Sequence, residues 1–408
     1  MSGNAMLSVA EARARILGSV SKERASEEIA LGNAAGRTLA SDLAARRTQP
    51  PKAVSAMDGY AVRACYVAKL PARLKVIGES TAGCGFAGRA GPGEAVRIFT
   101  GAPVPEGCDT ILIQESARAE AGMIEALETV AAGRHIREKG IDFSAGEVLL
   151  RGGTRLGAAD IALAAAMNYA LLPVAKRPRA AIFSAGNELV RPGEAAGEDQ
   201  IVATNSYAIS ALAEGAGAEA LDFGIVPDEL SAIEKAIGAA REAGAGLLVT
   251  LGGASVGDYD LIRPALARQG MELDFWKVAM RPGKPLMFGR LGQMLILGLP
   301  GNPVAAYVAG IVFLVPLLRA LCGDRDAGRD QSEPAILGSA LRANDGRKDY
   351  LRASLDAGGD GLPVATPFEV QDSSLLRVLA QSQCLLLREP HAKPARAGDP
   401  CRIIRLGF

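Results

Sequence analysis

The chain has 408 residues, too many for a single compact core, so we expect two to four domains. Apolar residues make up 49% and charged residues 22%, a composition typical of soluble globular proteins. The 45 lysines and arginines are balanced by 45 aspartates and glutamates, which leaves no basic excess to hold a nucleic-acid backbone, and we expect no nucleic-acid partner.

Cysteine and histidine usage narrows the chemistry further. The six cysteines form no C-x-x-C pair and no secretory signal peptide precedes them, so we expect free thiols in a cytoplasmic protein. The only histidines, His135 and His391, are too few for a His-rich metal site and argue against a Ser-His-Asp triad.

The N-terminal third combines helical and strand-like patterns. Ser8 followed by Glu11 is a capping-box pattern, which predicts a helix from Val9 to about Val20. A second amphipathic segment, Glu27 to Leu39, predicts another helix. Over residues 46–140, short alternating apolar runs separated by Gly and Pro predict a small β domain, either a barrel or a sandwich.

The middle of the chain alternates between strand and helix patterns. Predicted strands at 179–183, 220–226, 246–251, 273–280 and 294–299 are interleaved with predicted helices at 205–214, 228–243 and 303–318. This alternation predicts a three-layer α/β domain with a mostly parallel sheet, whose ligands bind at the carboxyl ends of the strands. After about residue 328, short strands predict a C-terminal β domain.

One segment imitates a membrane span. No charged residue occurs from Met294 to Leu318, a length sufficient to cross a bilayer. However, Pro300, Gly301, Asn302 and Pro303 divide it into a strand and a helix, so we expect a buried strand-turn-helix unit and no membrane partner.

The segment Thr250–Asp260 (TLGGASVGDYD) carries the most chemistry. The glycines at a strand end expose amide donors and Ser255 adds a hydroxyl, which suits a phosphate or another oxyanion. Asp258 and Asp260 add carboxylates that suit Mg²⁺. A plain strand-to-helix turn with capping acids explains this segment about as well on local grounds.

Two further turns also follow predicted strands. In Arg281–Pro285 (RPGKP), a Pro-Gly turn projects two cations suited to an oxyanion. In Leu299–Pro303 (LPGNP), Asn302 and Pro303 suit the start of a helix, whose N-terminus favours an anion, although a simple cap explains them nearly as well. Far upstream, the Asp58-Gly59 pair in Ala56–Val62 (AMDGYAV) predicts only a turn on local grounds.

Together, these four segments resemble the molybdenum insertase family, also known as molybdopterin molybdenumtransferases, the MoeA and gephyrin E-domain group. The resemblance covers nearly the whole chain, with the motifs in the family's order and approximate spacing. It implies an elongated homodimer with an α/β plus β fold and a C-terminal β-barrel. The implied domains are 1–45 with 141–177 (helical, dimerisation), 46–140 (inserted β), 178–327 (α/β, molybdopterin-binding) and 328–408 (C-terminal β).

The resemblance also implies an activity: placing molybdate on adenylylated molybdopterin with Mg²⁺-dependent release of AMP. The implied partners are a molybdopterin adenylyltransferase and acceptor molybdoenzymes. The implied catalytic residues are Asp58, Thr100, Asp142, Glu188 and Lys284, of which Asp58, Thr100 and Asp142 would act across the dimer interface. The implied substrate-binding residues are Gly252, Gly253, Ser255, Gly257, Arg281, Lys284, Pro300, Gly301, Asn302, Pro303, Arg352 and Ser373. The implied Mg²⁺ ligands are Glu188, Asp258 and Asp260.

Two positions depart from the family pattern and leave alternatives open. Asn187 stands where the family usually has Asp, which removes a charge near the expected Mg²⁺ site, and Ala305 stands where many relatives have Ser. The alternatives are a molybdopterin adenylyltransferase, whose family normally lacks the flanking β domains, and a non-catalytic cofactor carrier or scaffold on the same fold.

Overall fold

Helix α1 (Val9–Gly18) begins at its predicted cap. In this computed structural model, which describes residues 6–21, 23–252, 261–359 and 361–407, the Glu11 N–H donates to Ser8 Oγ (3.2 Å). The Ser8 N–H donates in return to the Glu11 carboxylate (2.9 Å). The capping box therefore satisfies two N–H groups that the helix itself leaves without partners.

The helix predicted from Glu27 to Leu39 is wrong. Strand β1 (Ser26–Ala30) occupies its first part, followed by a 3-10 turn at Leu31–Asn33. The strand pairs antiparallel with Leu171–Ala175, a segment distant in sequence. The apolar residues of this segment recur at helical spacing, but long-range strand pairing determines its structure. Residue propensities carry no information on such pairing.

The remaining N-terminal elements form small ribbons and one larger sheet. They are β2 (Leu43–Ala44), β3 (Val54–Ser55), β4 (Gly59–Val62), β5 (Ala72–Ser80), β6 (Glu94–Ile98), β7 (Thr110–Ile113), β8 (Ala117–Glu120), β9 (Met123–Ala126), β10 (Ile136–Arg137), β11 (Val148–Leu150), α2 (Ala158–Ala166) and β12 (Leu171–Ala175). Six of these strands form a sheet in the order β7-β4-β6-β5-β9-β8, which confirms the predicted small β domain. Tyr60 and Val62 on β4 pack into one apolar cluster and Ala61 into another, as strand alternation requires.

The central region is a three-layer α/β unit. Its elements are β13 (Arg179–Ala185), β14 (Leu189–Val190), β15 (Ile201–Val202), α3 (Asn205–Gly215), β16 (Glu219–Val226), α4 (Leu230–Glu242), β17 (Leu247–Leu251), α5 (Ile262–Arg268), β18 (Glu272–Trp276), β19 (Met280–Arg281), β20 (Met287–Leu291), β21 (Met294–Leu299), α6 (Pro303–Ala309), a π-helical turn (Gly310–Leu314) and α7 (Val315–Leu321). The sheet order is β16-β13-β17-β21-β20-β18, parallel through β21 and antiparallel beyond it. Apolar clusters cover both faces, so the predicted mostly parallel, three-layer domain is confirmed.

The apolar helix Pro303–Leu321 belongs to this core. In the described part of the chain it is the one helix long and apolar enough to cross a membrane, but 67% of its apolar window is buried inside the fold. The π-helical turn precedes Pro316, whose missing N–H interrupts the regular hydrogen-bond ladder. The expectation of a buried strand-turn-helix unit is confirmed.

The C-terminal elements form a closed barrel. They are β22 (Glu333–Leu337), β23 (Lys348–Asp356), β24 (Val364–Pro367), α8 (Leu376–Gln381), β25 (Cys384–Arg388) and β26 (Pro400–Arg405). The order β23-β24-β22-β26-β25 closes because β25 pairs again with β23, which confirms the predicted C-terminal barrel. Strand β19 also pairs with β23, so the barrel is joined directly to the segment that carries Arg281.

Candidate active site

A pocket of about 410 Å³ opens at the carboxyl ends of strands β13, β17 and β21. This is where a parallel α/β sheet is expected to bind its ligand. The described lining residues are Ser184, Ala185, Glu188, Leu189, Ile201, Val202, Ala203, Thr204, Asn205, Leu251, Gly252, Gly301, Asn302, Pro303, Ser374 and Leu376. Five predicted site residues therefore meet here: Glu188, Gly252, Gly301, Asn302 and Pro303.

Gly252 allows the strand ends to approach each other closely. Its φ is +88°, and a Cβ at this position would lie 2.9 Å from the Ala185 carbonyl oxygen. Its N–H donates to the Leu299 carbonyl (3.3 Å), which links β17 to β21. Glycine is required here both by the backbone conformation and by the lack of space for a side chain.

Two helix N-termini face the pocket. Helix α3 begins at Asn205 and the helix Pro303–Leu321 begins beside Asn302, and neither preceding cap residue donates or accepts a side-chain capping bond. Asn205 Nδ2 donates to the Gly301 carbonyl (2.6 Å) and ties the two starts together. Because no lysine or arginine is among the described lining residues, the helix ends supply the positive potential for an anion.

Glu188 is the only carboxylate among the described lining residues. Its neighbour Asn187 is not among the described lining residues and exchanges hydrogen bonds with Asp228, the residue that follows β16 by two positions. No group of three or more metal-ligating side chains occurs in the described ranges. A carboxylate facing an anion-accepting pocket has the chemistry to hold a bridging cation, but Glu188 alone does not complete a coordination shell.

Ser373 of the barrel contacts the lining of this pocket, and Arg352 contacts Asp372, the residue that precedes Ser373. Asn302 Nδ2 donates to Ser373 Oγ (2.9 Å) and the Val304 N–H donates to the Ser373 carbonyl (3.0 Å). Arg352 is only 1% exposed; one guanidinium nitrogen donates to the Asp372 carbonyl (3.1 Å), while its Nε has no partner. Burial lowers the pKa of Arg352. A buried guanidinium with an unused donor and no ion pair among the described residues suits an oxyanion.

Arg281 forms ion pairs and a hydrogen bond with residues of the C-terminal β domain. Its guanidinium pairs with Asp349 on β23 and with Asp345 (3.3 Å), and it donates to Asn344 Oδ1 (3.1 Å). The Arg347 guanidinium foremost, with a smaller contribution from Arg281, lowers the pKa of Asp345 to about 2. Lys284, in the same turn, is exposed and forms no ion pair within the described chain.

Asp58 and Thr100 form a second cluster on the N-terminal sheet. The Thr100 N–H (2.7 Å) and hydroxyl (2.8 Å) both donate to Asp58 Oδ1. These two bonds, the backbone one foremost, hold the pKa of Asp58 below its usual value. Asp58-Gly59 is not only a turn: Gly59 begins β4, and a Cβ there would lie 2.9 Å from Ile113 Cα.

Some of the predicted site residues are not among the described residues that line this pocket. Asp58, Thr100 and Asp142 are absent from the described lining of the pocket, and Asp142 is exposed. Gly253, Ser255, Gly257, Asp258 and Asp260 lie outside the described residues.

Several lining residues were not singled out from the sequence. Ser184 is 3% exposed and its hydroxyl has no partner, although it lines the pocket. Asn205 was predicted only as the first residue of a helix, and Thr204 directly precedes it. The signal that could have found them is their position directly after predicted strands or at a helix start, the same reasoning that selected Gly252 and Asn302.

The fold and the pocket define a multidomain α/β protein with a pocket at the carboxyl ends of its parallel strands. Residues 7–168 match the family described as MoeA N-terminal region (domain I and II), residues 181–320 match the probable molybdopterin binding domain, and residues 334–406 match the MoeA C-terminal region (domain IV). The chain belongs to the molybdopterin molybdenumtransferase family, which confirms the resemblance seen in the sequence.

Individual relatives agree with this assignment. The molybdopterin molybdenumtransferase of Haemophilus influenzae is 33% identical over 399 residues, covering 98% of each chain. That of a Nostoc species is 41% identical over 304 residues, covering 73% of this chain and 70% of the relative. The crystal structure of the molybdopterin biosynthesis moeA protein from Pyrococcus horikoshii OT3 superposes with a TM-score of 0.85 at 26% identity, covering 98% of this chain and all of that one.

Proposed function

We propose that this protein inserts molybdate into adenylylated molybdopterin and releases AMP. In this reaction the phosphoanhydride bond is cleaved and molybdenum is placed on the dithiolene. The observation that carries the proposal is the continuity of two anion-accepting features. The pocket at the strand ends contacts the barrel loop through the Asn302–Ser373 hydrogen bond, and the Asp372 carbonyl of the same loop accepts from Arg352, whose Nε has no partner.

The pocket suits the phosphate groups of the substrate. The N-terminus of helix α3 and the dipole of the helix that begins at Pro303 provide positive potential without a basic side chain. Ser184 adds a buried hydroxyl that a bound ligand would satisfy. We assign Gly253, Ser255 and Gly257 to the same role from the sequence alone.

Arg352, Ser373 and Lys284 are the proposed molybdate ligands. Molybdate is a tetrahedral dianion, so it requires cations and hydroxyl donors in a partly dry site. Arg352 meets this requirement because its charge is buried without a carboxylate partner in the described chain. Arg281 is offset by Asp345 and Asp349, so in this proposal it binds molybdate only weakly, if its ion pairs open.

Glu188, together with Asp258 and Asp260, is the proposed Mg²⁺ site. The cation would bridge the carboxylates to the phosphates and polarise the bond to be cleaved. Glu188 fits because it faces the pocket; the other two ligands are proposed from the sequence motif.

Asp58, Thr100 and Asp142 are proposed to complete the site in a homodimer. Within one chain they do not line the pocket as far as the structure describes it, so a second copy would have to bring them there. The dimerisation role given to residues 1–45 with 141–177, and the other domain limits at 46–140, 178–327 and 328–408, are part of this proposal. The proposal also includes a cytoplasmic location, an adenylyltransferase that supplies the substrate, and molybdoenzymes that accept the product.

A reconstitution assay tests the proposal against its alternatives. The purified protein is incubated with adenylylated molybdopterin, Mg²⁺ and molybdate, and the products are added to a cofactor-free molybdoenzyme. Insertion predicts AMP release together with active molybdoenzyme. Consumption of ATP with unadenylylated molybdopterin would favour an adenylyltransferase, and tight binding without AMP release would favour a carrier.

A further inference from the structure

Arg97 lies on one of the two neighbouring strands whose ends are flanked by Asp58 and Thr100. It sits on β6, directly opposite Tyr60 on the antiparallel neighbour β4. Asp58 immediately precedes β4, and Thr100 follows β6 by two residues. The side chain of Arg97 is therefore placed to influence both members of the Asp58–Thr100 cluster.

The guanidinium connects three backbone segments around Asp58. One terminal nitrogen donates to the Gly59 carbonyl (3.1 Å), and the other donates to Gln114 Oε1 (2.9 Å). The Gln114 N–H in turn donates to the Asp58 carbonyl (3.1 Å). Asp58 is thus held on both sides by a network that ends at Arg97.

Two aromatic rings fix the guanidinium itself. Arg97 Cζ lies 5.0 Å from the Tyr60 ring centroid and 4.9 Å from the Phe99 ring centroid, within cation–π range. Phe99 directly precedes Thr100, so the stacking also restrains the segment that donates to Asp58. A lysine could not stack and donate to two acceptors in this planar arrangement.

The charge of Arg97 is not consumed by an ion pair. No described carboxylate pairs with it, including Glu79, which lies opposite it on β5. Its positive charge instead contributes, after the Thr100 hydrogen bonds, to keeping the pKa of Asp58 low.

We propose that Arg97 is a positioning residue for the reaction: it holds the Asp58 carboxylate against Thr100 in the geometry and charge state that the second copy's pocket requires. This inference rests on the proposed function, because it assumes that Asp58 takes part in the reaction. Arg97 itself acts through Asp58 and Thr100 and is not assigned a contact with substrate.

The test is a double-mutant cycle with a matched control. Arg97→Met, Asp58→Asn and the combined variant are assayed for molybdate-dependent AMP release, with Arg73→Met as the control. Arg73 is an exposed arginine of the same sheet, paired only with Glu125. Arg97→Met is expected to lower kcat by roughly tenfold or more with little change in KM, since small misplacements of a catalytic group are costly. Arg97→Lys is expected to restore part of the rate, and Arg73→Met to match wild type.

The combined variant decides between the outcomes. If Arg97 acts through Asp58, adding Arg97→Met to Asp58→Asn causes no further loss. Multiplicative losses, or a wild-type kcat for Arg97→Met, would overturn the inference while leaving the proposed function intact. A wild-type rate for Asp58→Asn would overturn the inference together with the role given to Asp58, whereas a lack of molybdate-dependent AMP release by the wild-type protein would overturn the proposed function. If Arg97→Met does not fold, Arg97→Lys serves in the same cycle, because it keeps the charge and loses the two-acceptor bridge.

Discussion

Asn187 and Asp228 hydrogen-bond each other reciprocally. The Asn187 N–H donates to Asp228 Oδ2 (3.3 Å), and the Asp228 N–H donates to Asn187 Oδ1 (3.1 Å). The bonds tie the turn after β13, which carries Glu188, to the turn after β16. The Asn187 side chain contributes only its oxygen and the other bond comes from its backbone N–H, so an aspartate could make the same two contacts.

Asn187→Asp is therefore expected to preserve the fold and to strengthen cation binding. The new charge lies beside Glu188 and close to Asp228, and about 1 kcal/mol of added attraction corresponds to roughly fivefold in Kd. Titration of Mg²⁺ by calorimetry on the protein alone measures this directly. Asn187→Ala, which removes the contact and adds no charge, is the control, and equal or weaker Mg²⁺ binding by Asn187→Asp would contradict the assignment of the metal site.

The Arg281–Asp349 ion pair is expected to stabilise the attachment of the barrel. The Asp349 side chain is only 6% exposed, so Arg281→Met leaves a buried carboxylate without its main partner, at a cost of about 2 kcal/mol. Urea unfolding measures the loss. Adding Asp349→Asn to Arg281→Met should recover part of the lost stability, because the substitution removes the buried carboxylate charge that has no partner.

An unchanged stability of Arg281→Met with a large loss of molybdate affinity would contradict that prediction. It would mean that Arg281 serves the ligand and that its pairs with Asp345 and Asp349 are incidental.

Arg352→Met is expected to weaken molybdate binding without lowering the stability of the fold. Molybdate affinity should fall by about tenfold or more, because a charge-assisted contact in a dry site is lost. Stability should stay level or rise, because burial disfavours the charged guanidinium and no carboxylate of the described chain forms an ion pair with it. Calorimetry with molybdate and thermal unfolding test the two parts, with the exposed Arg396→Met as the control. Unchanged molybdate binding would remove Arg352 from the site.

Thr100→Val is expected to make the stability profile less sensitive to acid. The Asp58 pKa is lowered in the folded state, so its stabilising contribution is present above the ordinary value of 3.8 and is lost as the pH falls through the lower, folded pKa. The valine variant should thus be less stable than wild type at pH 7, and the gap should narrow at acidic pH. Urea unfolding at both pH values checks the sign, and a gap independent of pH would show that Asp58 is not the linked group.

Much of the architecture could be predicted because its signals are local. Ser8 with Glu11 marks a helix start, and uninterrupted apolar runs such as Met294–Leu299 mark buried parallel strands. The helix predicted over Glu27–Leu39 was wrong because β1 forms by pairing with β12, which lies over 140 residues away in the chain.

Part of the candidate site could also be predicted from the sequence. Gly252, Asn302 and Glu188 follow strands, so topology alone brings them together. The ion pair of Arg281 with Asp349 could not be foreseen, because it depends on how the barrel packs against the central domain. Asp58 required the family resemblance, since Asp-Gly by itself indicates only a turn.

The most direct test of molybdate insertion is a single-turnover experiment that counts AMP released and molybdenum bound to the dithiolene in the same quenched samples. Molybdate insertion predicts that both appear at equal rates and in a one-to-one ratio, and that Glu188→Gln slows them together. AMP release without molybdenum transfer, or equal AMP release when molybdate is omitted, would contradict it.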